Sequence, residues 1–103
     1  MVKVISDSEF EQATKKGVVL VDFYADWCGP CRMMSPVIDK LAVEMEGKAS
    51  FVKVDIDESS KAAGTLQVTS IPTLVLFKNG IEVNRLVGVK DIDALRSFVQ
   101  AAL

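Results

Sequence analysis

The chain has 103 residues, half of them hydrophobic and a quarter charged, a balance that fits one folded domain over residues 1–103 and excludes a disordered chain. Lys and Arg total 12 against 14 Asp and Glu, a net charge of −2 spread along the sequence, so no nucleic acid or anionic membrane is an expected partner. The apolar runs are too short to span a bilayer and "MVKVISDSEF" has no signal-peptide pattern, so a cytoplasmic monomer is expected.

Val2–Ile5 predicts a short first strand. Ser6 and Glu9 form an S-x-x-E capping box, opening a helix that turns Phe10 and Ala13 inward and stops near Gly17. Val18–Ala25 is a continuous β-branched and aromatic run, the pattern of a strand buried on both faces. A helix follows, with Met34, Val37, Ile38, Leu41, Ala42 and Met45 at helical spacing and Gly47 as its stop. Phe51–Ile56 predicts the next strand, and Asp57 the cap of a short helix over Ser59–Leu66. Thr73–Phe77 and Ile81–Gly88 flank Asn79-Gly80, a strong hairpin signal. Asp91 caps a last helix whose Ile92, Leu95, Phe98, Val99 and Ala102 share a face. The order βαβαβαββα implies an α/β protein, a mixed sheet with helices on both sides.

Both cysteines, Cys28 and Cys31, fall in "DFYADWCGPCRMMSP" where the buried strand gives way to the helix. A structural zinc site needs about four N or S ligands, and the chain has two cysteines and no histidine. No metal is therefore expected. A bridge closing so small a loop adds little stability. Two inert buried thiols would be the ordinary alternative, but the placement favours a redox pair. Residues i and i+3 in a first helical turn have Cα atoms roughly 5–6 Å apart, within disulfide range. The unpaired N–H groups and positive dipole end of a helix stabilise a thiolate. Cys28, at the tip, is expected to be the exposed, acidic nucleophile and Cys31, one turn in, the covered resolving thiol. Gly29 and Pro30 tune the pair, Pro30 as a first-turn residue that stiffens the loop.

"WCGPC" at the end of "LVDFYAD", with Pro36, "SIPTLVLFKNG" and Val87-Gly88 following in order, resembles the thioredoxin family across essentially the whole chain. The resemblance implies a five-stranded sheet of order 1-3-2-4-5 flanked by four helices. It implies protein-disulfide reduction through the Cys28–Cys31 pair, with no bound cofactor. Electrons would come from a thioredoxin reductase, typically an NADPH-dependent flavoprotein, and pass to disulfide-containing target proteins. It further implies a cis Ile71–Pro72 bond facing the cysteines, and an Ile71 backbone that pairs with a bound substrate strand. Trp27, Ile71, Pro72, Val87 and Gly88 would make an apolar contact patch, Gly88 admitting close backbone approach.

Asp22 is the oddity in its strand, since a carboxylate interrupts an apolar run. Beside the family pattern it is expected to be a buried acid near Cys31, its pKa raised by desolvation, relaying a proton to the resolving thiol. Lys53, on the adjacent strand in the family's order, would partly offset that shift. Pro36 removes the N–H that would bond the Arg32 carbonyl and is expected to kink the helix. Arg32 adds positive charge next to Cys31. Two positions depart from the family pattern: Tyr24, where Trp is frequent, and Ser70, where Gly is common. An oxidant or isomerase is the competing chemistry, but that branch often carries His between the cysteines. A redox-inactive docking module is the competing class, and the intact cysteines with Asp22 and Pro72 argue against it.

Overall fold

The computed structural model describes residues 2–103. In chain order the elements are β1 (Lys3–Val4), α1 (Asp7–Thr14), β2 (Val18–Tyr24), α2 (Gly29–Glu44), β3 (Ser50–Asp55), α3 (Ser60–Thr65), β4 (Thr73–Lys78), β5 (Ile81–Val87) and α4 (Ile92–Gln100). The strands form one mixed sheet of order β1-β3-β2-β4-β5, the order the resemblance implied. β2 lies at its centre, parallel to β3 and antiparallel to β4. Its β-branched run suits that position, because both faces of a central strand must be covered.

The period-two alternation of β2 divides the core. Val18 and Leu20 face a cluster with Met34, Ile38 and Leu41 of α2 and Leu95, Phe98 and Val99 of α4. Val19, Val21 and Phe23 face the opposite cluster, with Phe10 and Ala13 of α1 and Ala62 and Ala63 of α3. Phe10 packs tilted on Phe23 and edge-on to Phe77, centroids 6.1 and 5.7 Å away. Truncating a fully buried side chain such as Leu41 to Ala would cost about 2–5 kcal/mol. Asp22 continues the row Val18–Leu20 and so lies beneath α2 and α4, on the side that carries the cysteine helix.

The local signals act as their chemistry requires. The Glu9 carboxylate accepts from the Ser6 N–H at 2.9 Å and opens α1. Asp91 accepts from the Ala94 N–H at 2.8 Å and opens α4. Asn79 and Gly80 both have positive φ, +52° and +86°, as the tight hairpin turn between β4 and β5 demands. A bulge leaves Val83 as the extra residue of β5, between the Leu76–Asn84 and Phe77–Glu82 pairs. Helix α2 continues through Pro36 as one element.

Asp57 does not cap α3. The helix starts after Ser59, and its first free N–H groups, those of Lys61 and Ala62, donate at 3.0 Å to the two carboxylate oxygens of Asp7 in α1. The β3–α3 turn is instead drawn in by Asp55, whose carboxylate accepts from the Asp57 N–H at 2.9 Å. That turn sends the Asp57 side chain towards Trp27.

Candidate active site

Cys28 is the N-cap of α2, and Gly29 and Pro30 begin the helix. The two cysteines are joined in a disulfide with Cα atoms 5.2 Å apart, the separation that one helical turn supplies. The Cys31 N–H donates to Cys28 Sγ at 3.2 Å, so a free N–H at the helix start is aimed at this sulfur. In the reduced protein the same donor and the positive end of α2 favour thiolate at Cys28. Arg32 folds back over the loop, its guanidinium donating to the Asp26 carbonyl at 2.8 Å.

The expected contrast between an exposed Cys28 and a covered Cys31 is absent in this disulfide state. Cys28 is 5% exposed and Cys31 3%. The cause is packing: both sulfur-bearing residues cluster with Ala25, flanked by Tyr24, Ile56 and Ile71. The Ile71 carbonyl oxygen also lies 3.9 Å from Cys28 Sγ. Helix-tip placement orders the N–H donors, but the packing of Ala25, Tyr24, Ile56 and Ile71 around the pair leaves little sulfur to meet solvent.

Asp22 is 1% exposed, and neither carboxylate oxygen has a hydrogen-bond partner among the described residues. Burial therefore pushes its pKa up to about 7; Lys53 pulls the other way and Asp39 adds to the rise. Lys53 lies opposite Asp22 in the β2–β3 register. Its ammonium does not pair with the carboxylate. It donates to the Ser35 hydroxyl of α2 at 3.0 Å and sits 4.4 Å from the centroid of the Tyr24 ring. Tyr24, Asp26, Cys31, Arg32, Ser35 and Lys53 line a solvent-open cleft of about 190 Å³. Ser35 and Asp39 carried no signal in the sequence, because only the docking of α2 over β2 and β3 brings them here.

Trp27 is 68% exposed, held by an indole N–H that donates to Asp57 Oδ2 at 2.8 Å. The Ile71–Pro72 bond is cis, and Pro72 is buried at the start of β4. Val87 is 53% exposed, and Val89 beyond it is exposed too. Gly88 has φ of +91° and donates its N–H to the Pro72 carbonyl at 2.9 Å. A Cβ on Gly88 would meet nothing within 4 Å, so backbone conformation rather than close contact calls for glycine in the free protein. The Lys90 N–H donates to Met34 Sδ at 3.2 Å, fixing the segment after Gly88 to α2. No group of three or more His, Cys, Asp or Glu that could hold a metal ion occurs among the described residues. Nor is any helix there long and apolar enough to cross a membrane.

The family model described as Thioredoxin matches residues 1–101. A thioredoxin of Chlamydia pneumoniae is 50% identical over 99 residues, covering 96% of this chain and 96% of that protein. A thioredoxin of Chlamydia trachomatis serovar D has the same identity and coverage. A thioredoxin of Staphylococcus aureus strain Mu50 is 48% identical over 99 residues, covering 96% of this chain and 95% of that one.

Proposed function

The chain belongs to the thioredoxin family, and on that premise we propose a division of labour for its thiol–disulfide oxidoreductase chemistry: Cys28 attacks, Cys31 resolves, and Asp22 moves the proton. The observation that carries this reading is the Cys28–Cys31 disulfide at the start of α2, with the Cys31 N–H directed at Cys28 Sγ.

In the reduced protein the Cys28 thiolate attacks one sulfur of a target disulfide. That bond breaks, a mixed disulfide forms, and the departing target thiolate takes a proton from water. Cys31 then gives its proton to the Asp22 carboxylate and attacks Cys28 Sγ, releasing the second target sulfur as a thiolate. Two electrons pass from the dithiol to the target, and the Cys28–Cys31 disulfide remains. An acid with pKa near 7 is about half ionised at neutral pH, so Asp22 can accept this proton and later lose it. Gly29, Pro30 and Lys53 tune the step: the first two hold the sulfurs one turn apart, and Lys53 limits the rise of the Asp22 pKa.

Trp27, Ile71, Val87 and Gly88 form the docking face for the target, which lays an extended segment along the Ile71 backbone; Pro72, expected in this face, is buried and lies beneath it. Exposed Trp27 and Val87 and the nearness of the Ile71 carbonyl to Cys28 support this. The chain works as one domain over residues 1–103 and as a monomer. A thioredoxin reductase, an NADPH-dependent flavoprotein, restores the dithiol. A cytoplasmic site suits a reductant, because the glutathione and thioredoxin pools there keep thiols reduced.

Insulin reduction, followed by turbidity with dithiothreitol as electron source, tests the activity. The wild type should accelerate precipitation and the Cys28→Ser variant should not. Limited iodoacetamide labelling of the reduced protein tests the roles, and equal labelling of the two cysteines would overturn them.

A further inference from the structure

The indole of Trp27 stands directly before the nucleophile, yet with two thirds of its surface exposed it has little packing to fix it. Among the described residues, its one hydrogen bond runs from Nε1 to Asp57 Oδ2 at 2.8 Å, across 30 residues of sequence. That acceptor is itself held. The Asp55 carboxylate, nearly buried at the end of β3, accepts from the Asp57 N–H at 2.9 Å. The Asp55 carbonyl accepts from the Ser59 N–H, and the Ile56 N–H donates to the Tyr24 carbonyl, at 2.8 and 2.9 Å. The β3–α3 turn is thereby tied to the strand that leads into the cysteine motif.

We propose that Asp57 is a positioning residue for protein substrates, fixing the Trp27 indole as a preset wall beside Cys28, with Asp55 holding Asp57 in place. The inference rests on the docking role given above to Trp27. Ordering an exposed ring at the moment of docking carries an entropic cost, and an indole fixed beforehand avoids it. The benefit falls on folded or extended protein disulfides, which must lie across the indole. A small neutral disulfide that reaches Cys28 without touching the ring gains nothing. Asp57 thus sets a preference between substrate classes without touching the reacting sulfurs.

The test compares wild type, Asp57→Ala, Asp57→Asn and Trp27→Ala. Each is pre-reduced and mixed with insulin in single-turnover experiments, and separately with bis(2-hydroxyethyl) disulfide. In Asp57→Ala the half-saturating insulin concentration should rise about fivefold, equivalent to about 1 kcal/mol. The limiting rate and the rate with the small disulfide should stay within about twofold. Time-resolved anisotropy of Trp27, the one tryptophan, should show wider and faster local motion. Asp57→Asn keeps an acceptor oxygen without the charge, so it should restore both readouts and separate hydrogen bonding from electrostatic steering. Unchanged anisotropy or unchanged half-saturation in Asp57→Ala overturns the inference. So does an equal rise in both Asp57 variants accompanied by equal losses in urea midpoint, which would make Asp57 a determinant of loop stability only. Trp27→Ala identifies which statement has failed. If it raises half-saturation while Asp57→Ala does not, positioning alone is wrong; if it too has no effect, the docking role of Trp27 falls first.

Discussion

Replacing Asp22 by Ala should stabilise the oxidised protein in a strongly pH-dependent way. In this state the cysteines are joined and do not titrate. Asp22 is buried with both oxygens unpaired, and its pKa rises from 3.8 to about 7. Below the unfolded value the carboxyl is neutral in both states and burial of its charge costs nothing. As pH climbs from about 4 to about 7 the unfolded chain ionises while the folded one stays protonated, so wild-type stability falls. Above the folded value the loss is constant. At about 1.4 kcal/mol per pH unit between the two pKa values, the plateau is about 4 kcal/mol. Asp22→Ala has no such loss, so its advantage over wild type should grow by about that amount between pH 4 and pH 8.5. With a urea m-value of about 1.5 kcal/mol/M, the midpoints should diverge by roughly 2–3 M over this range. Urea unfolding of both oxidised proteins at the two pH values is the assay. The same variant should resolve a mixed disulfide more slowly, having lost its proton acceptor. A midpoint difference that does not change between pH 4 and pH 8.5 would refute the reasoning and make Asp22 a paired or solvated carboxylate.

Lys53→Met should move the pH range over which stability falls to higher values, because Lys53 lowers the Asp22 pKa; a shift to lower pH in the same urea series would contradict this. Trp27 fluorescence should brighten when the Cys28–Cys31 disulfide is reduced, and a Cys28→Ser, Cys31→Ser double variant should show no response to dithiothreitol. Gly80→Ala should cost about 1–2 kcal/mol, read as a lower Tm, because Gly80 holds φ at +86° while the added Cβ meets only ordinary contacts near Lys15. An unchanged Tm would mean that the hairpin turn rearranges without penalty.

The parts of the fold that local chemistry determines were legible in the sequence. Ser6 with Glu9, Asp91, Asn79-Gly80 and the Val18–Tyr24 run each carry their signal within a few residues. Asp22 could be singled out because a carboxylate in an apolar run contradicts its surroundings, and it lies where that conflict pointed, buried and unpaired. Asp57 had the right residue type for a cap three residues before a helix. Asp7, more than fifty residues away, takes those N–H groups instead, and no local pattern could have revealed that competition. The tethering of Lys53 by Ser35 and of Trp27 by Asp57 was hidden for the same reason. Cys28 is covered instead of exposed because Ala25, Tyr24, Ile56 and Ile71 pack around the cysteine pair, the last of them forty-three residues on. Helix-tip geometry predicts which sulfur is activated, and only tertiary packing says how far it is shielded.

Trapping with single-cysteine variants tests the division of labour most directly. Reduced Cys31→Ser, mixed with insulin and quenched with acid, should accumulate a disulfide between Cys28 and insulin, identified by peptide mass mapping. Cys28→Ser treated alike should accumulate little or none, because its remaining thiol lies one turn inside α2, while the free N–H at the helix start is aimed at the position of Cys28 Sγ. Trapping by Cys28→Ser as fast as by Cys31→Ser would contradict the assignment of Cys28 as nucleophile and Cys31 as resolving thiol.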